Sequence, residues 1–459
     1  MRASLAFTLA LCVCAAATAP AAQPLGGDHS ILKEIVAEVS PQRQRADIER
    51  LVSFGTRHTG SETRSDRRGI GAARRWIAAE FASISKDCGG RLRVETLSRT
   101  MTAERLAGPT EVVNVLGVLP GTSDPDRVIV ISGHYDSRAT DAKDFTSDAP
   151  GANDDGSGTS AVIEAARVLC RHRFPATLVF AALAGEEQGL LGGRILAEHA
   201  VERGWFVEAN LNNDIIGNTE GLSGVRDNTH VRVFSEGTRS TETAAQADRR
   251  RYNGGEVDSP SRNLARFMDV VADRYLTNLD VVMVYRTDRY GRGGDQVEML
   301  RAGFPAVRVT EAVENYTRQH QNLRTENGIR YGDTIDGVDF AYLAQVTRLN
   351  VASMAALALA PRPPSGVEIS GAVSADTTVR WTPAPDAAAY RVWWRATTDP
   401  QWRFSRVVPP TGQTVLKAVN IDDWFFGVSA IGPDGHESPV VFPGAAGAFD
   451  RAGAPPVPK

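Results

Sequence analysis

The stretch "PGANDDGSGTS", Pro150 to Ser160, sets Asp154 and Asp155 side by side in front of a Gly-Ser-Gly turn, and "AVIEAARVL" behind it reads as an apolar helix. Asp and Ser at such a place satisfy free backbone N–H groups and meet the positive end of the helix dipole. Other stretches ask for more. "GHYDS" puts His134 and Asp136 just beyond one apolar run, "AGEEQG" puts Glu186 and Glu187 beyond another, and "NNDIIG" puts Asp214 at the end of a third. Ligands of open α/β sheets bind at the carboxyl ends of the strands, so these carboxylates and the imidazole are expected to converge on one crevice. Carboxylates packed that closely repel and take up protons unless a cation offsets them. A mixed imidazole and carboxylate set fits zinc, with manganese or cobalt as substitutes, better than the all-oxygen cages of calcium or magnesium.

The elements that must position these residues are legible as hydrophobic patterns. Ser40-Pro41 supplies a cap and a first-turn proline for "QRQRADIERLVSF", and "SDRRGIGAARRWIAAEFASI" reads as a second long helix after the turn "GTRHTGSE". "RLRVETL", "EVVNVLGVL" and "DRVIVISGHYDS" read as strands, the last apolar enough to be buried on both faces. Strand and helix then alternate through "ATLVFAALAGEE", "GLLGGRILAEHAVERG" and "VEANLNNDIIG". The expected fold is α/β, with a mixed, largely parallel central sheet flanked by helices and followed by an all-β sandwich. Residues 218–262, polar and rich in Gly, Arg and Thr, read as a surface insertion in a domain covering 23–360. "FPAVRVTE" is a further strand and "TIDGVDFAYLAQVTRLNVASMAALALA" a closing helix. "PRPPSG", 361–366, reads as a linker to a sandwich of about seven strands over 367–447, with a flexible tail at 448–459. That composition predicts a separable sandwich.

The chain has 459 residues, 42% hydrophobic and 23% charged, and a net charge of -4 with no Lys/Arg block, so it lacks the electrostatic footprint of a nucleic-acid binder. Residues 1–22 carry one Arg, an apolar run and the small-residue pattern Ala19-Pro20-Ala21, a signal-peptide pattern that predicts a secreted or periplasmic protein. A lipoprotein signal around Cys12 and Cys14 is the lesser alternative, and no later apolar run reaches the ~20 residues of a spanning helix. Cys88 and Cys170 are left to pair or to stay as buried thiols. His58, His172 and His199 read as structural or surface residues. Arg286, Arg289 and Arg292 read as surface charges, with capture of a substrate carboxylate as the alternative.

In their order along the chain, His134, Asp154, Glu186-Glu187, Asp214 and His320 in "ENYTRQHQNL" resemble the co-catalytic di-zinc exopeptidases of metallopeptidase family 28, over about 110–325. The resemblance implies two zinc ions bridged by Asp154. His134 and Asp214 would complete one site, and Glu187 and His320 the other. Glu186 would be the general base and Asp136 the carboxylate that orients the imidazole of His134. It implies a cis bond after Asp154 and peptide N-termini as substrate, with a carboxypeptidase, a glutaminyl cyclase or an inactive binding scaffold as alternatives. The run after His320 departs from the family's commoner His-Thr-x-x-Asp pattern. Trp381, Tyr390, Trp402 and "FFGVSAIGPDGHES" resemble a fibronectin type III domain, whose aromatics serve its core, with a polymer or surface ligand as the other use.

Overall fold

Most of the expected elements form because each carries its own local signal. The computed structural model describes residues 28–451. Its helices and strands, in chain order, are α1 (Ser30–Glu38), α2 (Pro41–Val52), α3 (Gly69–Asp87), β1 (Arg93–Met101), β2 (Thr110–Leu119), β3 (Asp124–His134), α4 (Gly156–Leu169), β4 (Ala176–Leu183), α5 (Leu191–Glu202), β5 (Phe206–Asn213), β6 (His230–Phe234), α6 (Ala244–Asn253), α7 (Pro260–Tyr275), β7 (Asp280–Val284), α8 (Gln296–Arg301), β8 (Ala306–Glu311), β9 (Arg324–Glu326), β10 (Ile329–Tyr331), α9 (Phe340–Leu359), β11 (Ser365–Ser370), β12 (Thr377–Thr382), β13 (Ala389–Ala396), β14 (Phe404–Val408), β15 (Gln413–Leu416) and β16 (Trp424–Ile431). The signal segment 1–22, its lipoprotein alternative and residues 452–459 lie outside the described residues. The Ser40 side chain accepts from Arg43 N to cap α2, and Pro41 takes the first turn, where no N–H is needed. Among the described residues no helix is long and apolar enough to cross a membrane.

Eight strands form one sheet in the order β1-β2-β4-β3-β5-β8-β6-β7. The run β4-β3-β5-β8 is parallel, while β1, β2 and β6 each meet a neighbour antiparallel. β3 occupies the centre because alternate side chains feed two cores. Ile129 and Ile131 pack with α4 and α9 on one face, and Val128 and Val130 pack with α5 and α8 on the other. The crossover through α4 leads to β4 on one side of β3, and the crossover through α5 leads to β5 on the other. The connections diverge there and leave a crevice at the carboxyl end of β3.

Four boundaries differ from the sequence reading. Residues 218–262 are not a surface insertion throughout: β6 lies inside the large sheet, with Val231 and Val233 fully buried. Its apolar kernel is too short to stand out from polar flanks, and β7 escaped notice for the same reason. Among the described residues the sandwich has six strands, in antiparallel sheets β11-β12-β15 and β14-β13-β16, around a core that includes Val379, Trp381, Tyr390 and Phe426. β11 starts inside the span read as linker, where Arg362 is already ion-paired with Asp124. The described part of the tail is packed, with Phe449 in the sandwich core and Arg239 donating to the carbonyls of Ala448 and Asp450.

The sandwich is not a loosely tethered appendage either. Asp258, before α7, lies 2.7 Å from Arg395 of β13 and 2.8 Å from Arg266 of α7, all three buried. Trp402 Nε1 donates to Asn263 at 3.0 Å, and Arg266 Nε to the carbonyl of Pro400 at 2.7 Å. Linker composition is silent about such contacts, because their partners stand more than a hundred residues apart.

Candidate metal centre

The crevice collects residues from five places. His134 ends β3, Glu186 and Glu187 follow β4, Asp214 follows β5, Asp154 precedes α4, and His320 lies in the loop after β8. The Gly-Ser-Gly turn is a packing requirement. A Cβ on Gly133 would stand 2.7 Å from Gly158 C, and one on Gly158 would stand 2.4 Å from Asn213 O, so the start of α4 closes on β3 and β5 only with glycine at both positions. Asp155 caps α4 by accepting from Gly158 N at 2.9 Å, and also accepts from His134 N at 2.9 Å and Ile215 N at 3.2 Å. One buried carboxylate thus joins the ends of β3 and β5 to α4. The Asp154–Asp155 peptide bond is cis.

Two donor sets result. His134 Nε2 stands 3.3 Å from Asp154 Oδ1 and 3.9 Å from Asp214 Oδ1. His320 Nε2 stands 2.9 Å from Asp154 Oδ2 and 3.0 Å from Glu187 Oε1. The sets His134/Asp154/Asp214 and Asp154/Glu187/His320, each with its ligand atoms within 4.8 Å of one another, share Asp154, which offers a different oxygen to each histidine. His134 Nε2 and Glu187 Oε1 are buried, each with only an ion-pair contact to a fellow donor and no hydrogen bond among the described residues. Such orphaned atoms cost free energy unless something else satisfies them.

The electrostatics say what that something must be. Burial favours a neutral His320, yet Glu187 and Asp154 outweigh it and push the imidazole up to about 10. His134 is likewise raised well above its ordinary value, against its burial, by Asp136, Asp154 and Asp214. Carboxylates that hold imidazoles protonated form a site in want of cations, and imidazole with carboxylate is a donor set suited to zinc.

The surrounding groups hold these donors in place. Asp136 lies 3.5 Å from His134 Nδ1, and its carboxylate also accepts from Glu186 N and Glu187 N at 3.3 and 3.2 Å. It therefore fixes the turn after β4 as well as the imidazole. Glu186 faces the cleft with its carboxyl raised well above the usual range, first by burial and then by Asp214 and Glu187, although His134 opposes the shift. Sequence reasoning missed Asp333, which accepts from Asp154 N at 2.7 Å and Asn153 N at 2.9 Å, and Arg308, which lies 2.6 Å from Asp214. The "GDT" after the hairpin was a faint signal for Asp333. Arg308 gave none, since a single Arg in an apolar strand has no pattern. Arg289 is not a surface charge: its side chain is 9% exposed and paired with Asp288 and Glu314. His58, His172 and His199 stand outside the donor sets, and Cys88 and Cys170 are free and buried. A cleft of about 590 Å³ opens over Asp154, Glu186, Glu187, Asp214 and His320.

Peptidase family M28 matches residues 114–334, the span that holds both donor sets, Asp136, Glu186, Arg308 and Asp333. A probable zinc metalloprotease of Leptosphaeria maculans is 45% identical over 416 residues, 90% of this chain and 96% of its own length. Another, from Pyricularia oryzae, is 41% identical over 90% of this chain and 84% of its own. Among solved structures, the Legionella pneumophila LapA aminopeptidase shares the fold with a TM-score of 0.52 at 18% identity, over 74% of this chain and 75% of its own.

Proposed function

The chain belongs to peptidase family M28, and on that premise we propose that it is a zinc-dependent exopeptidase that removes residues from peptide N-termini. The observation that carries the reading is the pair of donor sets sharing Asp154, with His134 Nε2 and Glu187 Oε1 left unsatisfied. His134, Asp154 and Asp214 would hold one ion, and Asp154, Glu187 and His320 a second. Zinc there supplies Lewis acidity toward the scissile carbonyl and the attacking water. The relatives named above as probable zinc metalloproteases support that choice of metal, and cobalt or manganese would be substitutes.

The chain's own residues supply the rest. Glu186 takes the proton from the attacking water and delivers it to the departing amine; burial raises its carboxyl above the ordinary range, which makes it a stronger proton acceptor than a free glutamate. Asp136 keeps His134 and the Glu186-Glu187 turn in register. A cleft of about 590 Å³ suits a chain end rather than a folded segment. We further propose that export follows from the leader at 1–22 and that the sandwich is fibronectin type III-like.

The test pairs metal analysis with two substrates. A free-amine aminoacyl amide should be hydrolysed and its N-acetyl form refused, and a chelator should abolish the activity until zinc is restored. Preference for the blocked peptide with a free C-terminus would move the reading to a carboxypeptidase. Glu186→Gln should lose turnover about 10²- to 10⁴-fold while keeping its metal. Full activity in a metal-free protein would refute the mechanism.

A further inference from the structure

The cleft is built almost without apolar wall. Among the described residues that line it, Leu190 is the only apolar side chain, whereas Arg105, Arg138, Arg289 and Arg292 all reach it. Outside the donor sets and Glu186, one carboxylate, Glu104, stands against these four arginines.

The arginines fall into two groups with different obligations. Arg289 and Arg292 lean on Glu314 at 3.4 and 3.1 Å, and Asp288 also takes Arg289 at 3.2 Å, so carboxylates already answer much of their charge. Arg105 and Arg138 converge on Glu187 from separate loops. Arg105 Nη1 donates to the backbone carbonyl of Glu187 at 2.9 Å. Arg138 donates to the carbonyls of Ala139 and Thr140 at 3.1 and 2.8 Å, and its nearest carboxylate oxygen, Glu187 Oε2, is 3.9 Å away. Backbone carbonyls fix a guanidinium in place without cancelling its charge. Glu187, for its part, is committed to His320 and the donor set. Two guanidinium groups fixed by backbone carbonyls, each with N–H donors left over and little of its charge cancelled, suit a carboxylate placed between them beside the reacting centre.

Resting on the peptidase reading above, we infer that Arg105 and Arg138 form a subsite for a carboxylate of the substrate, so that the enzyme selects short or acidic peptides. Two sources share that chemistry: the α-carboxylate of a dipeptide and the side chain of Asp or Glu next to the scissile bond. Neutral aliphatic or aromatic residues find no complementary wall.

Three peptides separate the sources: Ala-Ala amide, free Ala-Ala and Ala-Glu amide. The inference predicts kcat/KM roughly tenfold or more in favour of a carboxylate-bearing peptide over the neutral amide. Free Ala-Ala leading would assign the α-carboxylate, and Ala-Glu amide leading the side chain. In the double variant R105Q/R138Q that advantage should collapse through KM, with kcat for the same peptide changed far less and metal content kept. Should the variant fail to fold, the unaltered enzyme still decides, because KM for the charged peptide must rise with salt and KM for the neutral amide must not. Equal use of all three peptides, or a salt-independent KM, overturns the subsite while leaving the peptidase reading intact. If none is cleaved, the peptidase reading falls, and calorimetry with free Ala-Ala decides the subsite: salt-sensitive binding that R105Q/R138Q abolishes supports it, and no binding overturns it.

Discussion

Charge is buried in two places in this molecule, and the two are built differently. At the sandwich interface, Asp258 sits between Arg266 and Arg395, and the spare charge of Arg395 lies 5.2 Å over the ring of Trp402 and 4.9 Å over that of Phe425. There Asp258 answers the charge of both arginines, and of the three side chains only Arg395 Nε is left without a hydrogen bond. At the strand ends, Asp154, Glu187 and Asp214 crowd around His134 and His320 and leave buried atoms unsatisfied. Paired burial reads as structure and unpaired burial as a site for something not encoded in the chain.

Substitution should make the two regions respond in opposite ways. Asp154→Ala is expected to remove activity to the limit of detection and to lose both ions by metal analysis. Asp258→Ala should cost about 3–5 kcal/mol in urea unfolding, since it leaves Arg266 and Arg395 buried and unpaired. Metal content and kcat of the protein that remains folded should be kept. A chain ending near Pro361 loses Arg395, Trp402 and the Pro400 carbonyl together, exposes Asp258 and Arg266, and should be destabilised at least as much. If Asp258→Ala instead left stability intact and removed metal, the division between the two regions would be wrong.

The cleft was the more legible of the two in the sequence, and the reason is local. Four of the five donors sit at or just past the end of an apolar run or at a helix start, so position along the chain already told position in the fold; His320, in the loop after β8, came only from the family resemblance. His134, Asp214 and the Glu186-Glu187 pair needed only the rule that parallel strands point their ends one way. What supports them was hidden. Arg308 reaches Asp214 from the neighbouring strand β8, and Asp333 reaches Asp154 across 179 residues. The interface was hidden for the same reason, and β6 because its apolar kernel is only a few residues long.

A smaller effect tests whether the support around Asp154 belongs to the cleft or to the frame. Asp333→Ala leaves the backbone N–H groups of Asn153 and Asp154 without their acceptor and should cost about 1–3 kcal/mol. Because one of those groups belongs to the shared ligand, zinc affinity should fall as well, measured by competition with a chromophoric chelator. Asp333→Asn, which keeps an acceptor oxygen, should recover part of both. A loss of stability with unchanged zinc affinity would place Asp333 in the frame alone.

The smallest effect is a pair of pH slopes of opposite sign in the metal-free protein. His320 is held at about 10 in the fold, burial opposing and Glu187 and Asp154 prevailing, against about 6.5 when unfolded. Its contribution to stability is therefore complete below pH ~6.5 and is lost as the pH rises toward 10. His436, at the contact between the sandwich and α1, stacks on His29 with centroids 3.8 Å apart, and burial, aided by His29, pushes it down to about 4. Its contribution is complete above pH ~6.5 and is lost as the pH falls toward 4, because only the unfolded chain takes the proton in that window. Urea midpoints of the chelated protein on either side of neutrality should show both slopes. His320→Gln should reduce the alkaline one, leaving the part that His134 contributes, and His436→Gln should flatten the acid one. Zinc should abolish the alkaline loss, since a bound ion replaces the proton that His320 gives up, and it should leave the His436 slope untouched. An alkaline slope that zinc left unchanged would show that the imidazole–carboxylate pairs of the cleft are not what sets it.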